Sequence, residues 1–136
     1  MKATELMIDD WVFNTHNNKP EQVQEVLTGN DIDYAVMLDY RDIYNEDDIE
    51  PIPLTTEILE KNGLEKRCSD ELVLFDNSKI DTTGEYIIIR YFVNTQRVWL
   101  CKGIGVDENE IRINCQYVHE LQHALRLANI NKEIVL

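Results

Sequence analysis

Residues 86–93 read Tyr-Ile-Ile-Ile-Arg-Tyr-Phe-Val, and no other stretch constrains the fold as strongly. Every residue but Arg90 is β-branched or aromatic. Such side chains lose rotamer freedom in a helix and fit a pleated, half-buried surface, so the segment must be a strand. Asn94-Thr95-Gln96 is a turn, and Arg97 to Cys101 (RVWLC) returns, which predicts a hairpin. Leu72–Phe75 is a further strand candidate, Gly103-Ile104-Gly105 is expected to break the ladder, and Glu110–Ile113 can add another strand. From about Cys115 to Asn129 the apolar period becomes helical, and Glu133–Leu136 reads as a short terminal strand. Ahead of this sheet, Thr55–Gly63 carries both helix signals. Thr55 can cap the N-terminus, Glu57 sits in the first turn, and Gly63 supplies a left-handed C-terminal position. Residues 55–136 are therefore predicted to be an α+β subdomain: a short helix, antiparallel strands and a C-terminal helix.

The first 54 residues have a different texture. Trp11-Val12-Phe13, Gln22–Leu27, Tyr34–Leu38 and Ile49–Pro51 are short apolar or alternating runs. Turn clusters separate them: the Asn-rich Asn14–Pro20 and Thr28–Asp31. Leu6-Met7-Ile8 is one more short strand candidate. Several short strands in so few residues, with no helical period, suggest sheet edges removed by closure, and an SH3-like small β-barrel over 1–54 is expected. A chain of 136 residues, 43% of them hydrophobic, can bury the core that either part needs.

The formal net charge is −13. Residues 1–54 hold Lys2, Lys19 and Arg41 against thirteen acids, a net −10, and the remainder is −3. Nucleic-acid binding rests on Lys and Arg neutralising phosphates, so no direct nucleic-acid binding is expected, and an anionic membrane surface is disfavoured equally. No run approaches the ~18 apolar residues of a spanning helix. MKATELMIDDW lacks the apolar core of a secretion signal, so the expected location is cytoplasmic. Cys68, Cys101 and Cys115 are odd in number and have no C-x-x-C spacing, so free thiols are expected rather than a disulfide framework or a zinc ribbon.

One motif points to metal chemistry. His119-Glu120-Leu121-Gln122-His123 is H-E-x-x-H, in which two imidazoles four apart on a helix can hold zinc while the Glu acts as general base on its water. Helical phase opposes that use. With Leu121 as origin, Tyr117, Val118, Ala124, Leu125 and Ala128 gather within about 60°, while His119 falls near 160° and His123 near 200°. Both imidazoles are then expected to face water. The metzincin third-ligand position is Asn129, and the preceding glycine position is Arg126. Asp76–Asp81 resembles a calcium loop only superficially, lacking the Gly at position six and the Glu at twelve, and reads as a turn. Gly103-x-Gly105 has no third glycine and no following helix. No catalytic set and no cofactor or metal site is expected.

Three stretches together resemble a family of small uncharacterised bacterial proteins of gut anaerobes, often associated with phage or mobile elements. They are Ala3–Val12, Asp48–Thr55 with its helix to Gly63, and Tyr117–Gln122 with Lys132–Leu136. The resemblance is loose over 65–115. It brings no activity, and it implies a cytoplasmic location and a small α+β fold. It also implies that Gln can replace Glu120 and that the second His is not fixed, neither of which a zincin could accept. Asp9 stands where the family pattern has Gly, which implies a left-handed turn there.

The leading expectation is a non-enzymatic binding or interaction module with a protein partner, contacted through exposed aromatics such as Trp11, Tyr40 and Tyr44. The alternatives are a zinc-dependent hydrolase using His119, His123 and Glu120, and an acidic decoy that mimics nucleic-acid charge.

Overall fold

A computed structural model of the chain describes residues 1–28, 34–39 and 42–136. The fold is α+β with sheet dominant: the described residues form three sheets and two α-helices. It divides into two compact units, one of Met1–Pro53 with Tyr117–His119 and one of Leu54–Gln116 with Glu120–Leu136. No helix is long and apolar enough to cross a membrane among the described residues.

The first unit opens with a 3₁₀ turn, Ala3–Glu5, and the strand suggested at Leu6-Met7-Ile8 does not form. Its strands are β1 (Trp11–Asn14), β2 (Lys19–Gln22), β3 (Glu25–Thr28), β4 (Tyr34–Met37), β5 (Ile43–Asn45) and β6 (Ile49–Pro51). They form two antiparallel sheets, ordered β2-β1-β6 and β3-β4-β5. Among the described residues no strand pairing joins the two into a closed barrel. Asp9 has φ +72°, the left-handed turn expected at that position. The core gathers Ala3, Leu6, Val12, Val23, Val36, Leu38 and Ile49.

That core is supplemented by a polar network. Glu21 is 1% exposed on β2, and Asn14 and Asp10 are fully buried. Asn14 Nδ2 donates to Glu21 Oε2 at 3.1 Å and Asn17 Nδ2 to Oε1 at 3.0 Å, while Lys19 Nζ lies 3.3 Å from Oε1. Burial pushes the Glu21 carboxyl up, but the two amides and the ammonium outweigh it and hold it below the ordinary value. The asparagines that mark the β1–β2 turn in the sequence thus also solvate a buried carboxylate.

In the second unit, α1 (Thr56–Lys61) begins at Thr55, whose hydroxyl accepts from the Ile58 N–H at 3.3 Å. It ends at Gly63, with φ +93°. Strands β7 (Glu65–Cys68), β8 (Glu71–Lys79), β9 (Glu85–Phe92), β10 (Arg97–Ile104) and β11 (Asp107–Asn114) follow as one antiparallel meander ordered β11-β10-β9-β8-β7. Three expectations are corrected here. Gly103 does not break the ladder: β10 runs to Ile104, and a Cβ at Gly103 would stand 2.2 Å from the Tyr86 ring, so glycine makes room for an aromatic lying across the strand. Asp76–Lys79 is the end of β8, with a register shift, and the turn follows it. Glu133–Leu136 is not a strand, because its backbone is claimed by a side chain. Buried Asn62 donates to the Val135 carbonyl and accepts the Val135 N–H, both at 2.8 Å.

The inner face of this sheet carries Leu72, Ile89, Tyr91, Val98 and Leu100, all buried, as are Leu121, Ala124 and Leu125 of α2 (Val118–Leu127). Lys102, on the same face, donates to the Asn129 carbonyl just past that helix at 2.6 Å. The opposite face carries the site described next.

Candidate functional site

His119 is 6% exposed and stacks on Tyr117, with ring centroids 5.9 Å apart and planes 13° from parallel. The expectation that both imidazoles face water is therefore wrong for His119, and His123 is half-buried. A single apolar stripe assumes that one side of a helix is covered. Here Val118, His119, Leu121, Gln122, Ala124 and Leu125 are all buried, so burial extends well beyond that stripe. Glu120 serves the start of its own helix, where its carboxylate accepts the Gln116 N–H at 3.1 Å, as first-turn acids do. Among the described residues no three His, Cys, Asp or Glu side chains converge as a metal site would require.

Of the three aromatics expected to make contacts, two lie among the described residues. Trp11 is half-buried in β1. Tyr44 packs against the first core, accepts a hydrogen bond from Asn17 Nδ2 at 2.8 Å and lies 6.0 Å from the His16 ring. Tyr40 lies outside the described residues.

A different set comes together on the outer face of the five-stranded sheet. Residues opposite one another in register share a face, so Val73, Arg90, Trp99 and Arg112 form one row across β8 to β11. Phe92, Arg97 and Asn114 form the row beside it. The Arg90 guanidinium lies over the Trp99 ring 4.9 Å from its centroid, and that of Arg112 lies 5.8 Å away. The two arrive from the strands on either side of β10 and flank the indole. Each contact is worth about 0.5–2 kcal/mol, more where water is excluded. Arg90 also lies 5.3 Å from the Phe92 centroid.

The charges are only partly balanced. Arg90 Nε donates to Glu71 Oε1 at 2.6 Å, and Arg112 Nη2 pairs with Glu110 at 2.9 Å. Arg97 has no ion pair among the described residues, and its register partners, Phe92 and Asn114, are uncharged. A cavity of about 260 Å³ opens here, lined by Arg90, Phe92, Arg97, Val98, Trp99 and Arg112. The Trp99 Nε1 donor is buried without a hydrogen-bond partner. Three cations around one indole are a local exception in a chain of net charge −13.

Further along β10 the face is closed. Tyr86 lies over Gly103 and donates to Glu108 at 2.9 Å. Cys101, buried on the same strand, contacts the other Glu108 oxygen at 3.1 Å. Burial first, and then the Glu108 carboxylate, pushes the Cys101 thiol up to about 11, so it stays protonated and weakly nucleophilic near neutrality. Cys115 is pushed up to about 12, chiefly by burial.

The arginines are individually visible in the sequence, but their convergence is not. It depends on the β9–β10–β11 register, which puts residues 90, 99 and 112 side by side. A usable signal is present: Arg90 is the only charge in the run Tyr86–Val93, followed by a turn and a Trp-bearing return strand.

No family model matches the chain, and no curated protein and no solved structure matches it.

Proposed function

We propose that the chain is a non-enzymatic binding protein whose contact surface is the outer sheet face centred on Trp99. The observation that carries this reading is the flanked indole with Arg97 beside it: aromatic and guanidinium groups, half-exposed, bordering an open cavity. Trp and Arg are the side chains that most often dominate binding energy at protein interfaces. Of the contact residues named from sequence, Tyr44 packs against its own core.

The test is capture from a lysate of the source cell with immobilised full-length chain, beside an Arg97→Glu/Arg112→Glu double variant. Stoichiometric recovery of a protein by the native chain, and its loss with the double variant, supports the reading. Absence of any stoichiometric partner, or capture unchanged by charge reversal, overturns it.

An SH3-like arrangement of residues 1–54 is part of the same proposal. Two three-stranded antiparallel sheets of three- and four-residue strands supply its pieces. Interstrand amide contacts in solution that join β1–β2–β6 to β3–β4–β5 would complete it, and their absence would leave two separate sheets.

A further inference from the structure

Resting on the reading above, we propose that Arg97, with Arg112 and the Trp99 indole beside it, binds carboxylate side chains of an acidic peptide segment. The cavity they line presents donors in excess of acceptors. Arg112 and Arg90 each hold one carboxylate of their own sheet, which shows the chemistry that this cluster accepts. Among the described residues Arg97 holds none, and the Trp99 Nε1 donor has no acceptor. Phe92 provides apolar wall for the methylenes of a Glu or for the flanking backbone.

Two observations favour a short acidic segment over a nucleic acid. The indole is flanked by guanidiniums from both neighbouring strands, so its faces are not available as a platform for bases. A long polyanion would also meet the field of a chain of net charge −13. A segment confined to the cavity experiences mainly charges within a Debye length of about 8 Å, where three arginines outnumber the two carboxylates, Glu71 and Glu110, that pair with two of them.

The experiment uses the full chain carrying Trp11→Phe, which leaves Trp99 as its one tryptophan. Trp99 emission is followed on titration with a capped peptide of alternating Glu and Gly, the matching Gln–Gly peptide, inorganic phosphate, and an oligothymidylate. Expected is a saturable change with the Glu peptide that weakens as salt is raised. The Gln peptide should bind at least about tenfold more weakly, as should the Arg97→Ala variant, since a charge-assisted pair contributes roughly one to two orders of magnitude. Arg97→Lys should retain part of the affinity. Arg97 is exposed, so its variants should keep the near-ultraviolet circular dichroism of the parent.

Equal binding of the Gln peptide, an unchanged Arg97→Ala, or tighter binding of phosphate or oligothymidylate overturns the carboxylate site. If the Glu peptide fails while lysate capture remains sensitive to charge reversal, the carboxylate assignment falls and the binding reading stands. If both fail, both fall.

Discussion

The two units solve the problem of holding a sheet together in opposite ways. The first has strands of three or four residues and a core of small and medium aliphatics, into which it admits Asp10, Asn14 and Glu21. The second has four strands of eight or nine residues, and the middle of its inner face, with Leu72, Ile89, Tyr91, Val98 and Leu100, is apolar. Short strands offer few ladder bonds and few inward positions, so the first unit supplements them with a hydrogen-bonded carboxylate whose partners come from its own turn. Long strands supply enough apolar area to leave the outer face free for other uses. In one unit, then, charge serves the fold, and in the other the fold supports charge on its surface.

The two tryptophans make this contrast measurable, since Trp11 reports on the first unit and Trp99 on the second. The largest expected effect is Leu100→Ala. This side chain is fully buried at the centre of the long sheet, and truncation should cost about 2–5 kcal/mol in transfer and cavity terms. Denaturant unfolding followed through Trp99 in a Trp11→Phe background should show the loss. If the Trp11 signal shifts equally in the reciprocal background, the units unfold as one, and the contrast holds for packing but not for cooperativity.

Glu21→Ala is the matching test of the first unit. It strands the Asn14 amide, which is fully buried, at a cost of about 1–3 kcal/mol. The pH dependence gives an independent signature. The folded carboxyl lies below its ordinary value of 4.5, so the contribution is complete above that value and is lost as pH falls through the depressed folded value. The Trp11 transition of the native chain should therefore weaken in acid more steeply than that of the variant. Parallel acid profiles would show that Glu21 does not carry the first unit.

How far the sequence can be read follows the same divide. The hairpin of β9 and β10, the Thr55 cap, the left-handed Gly63 and the α2 helix are legible because each rests on local chemistry, within a turn or one period. Gly103 misleads because a glycine in a strand looks the same whether it ends a ladder or admits a ring, and the ring of Tyr86 is seventeen positions away in sequence. His119 misleads because a helical wheel treats one side of a helix as covered, whereas α2 is buried beyond that side. The tail at 133–136 has strand composition, but buried Asn62 satisfies the Val135 backbone that a strand partner would have used. The Arg–Trp row is invisible for a different reason: its members are distant along the chain and adjacent only through register.

Thr55→Ala probes the part of the second unit closest to a purely local rule. The Thr55 hydroxyl accepts one N–H that the first turn of α1 otherwise leaves exposed, and its loss should cost about 1 kcal/mol. Asn62 at the other end of the helix keeps its own bonds to Ile58 and Val135, so the C-terminal tail should remain in place. Amide exchange at Ile58 should quicken while exchange at Val135 does not. Quickening at both would mean that the helix and the tail are one cooperative piece.

The smallest expected change in stability is that of Glu110→Gln, and it bears directly on what the outer face is for. Glu110 pairs with Arg112 at 2.9 Å, both side chains being solvent-exposed, and such pairs contribute between nothing and about 1 kcal/mol. The Trp99 unfolding midpoint should hardly move. If the carboxylate only balances surface charge, nothing else should change either. If the face is an acceptor for outside carboxylates, Glu110 competes with them for Arg112, and removing its charge should tighten binding of the Glu–Gly peptide while leaving that of the Gln–Gly peptide as it was. A variant in which stability and affinity both stay put would mean that Glu110 neither holds the sheet nor competes for Arg112, and that this arginine takes no outside carboxylate.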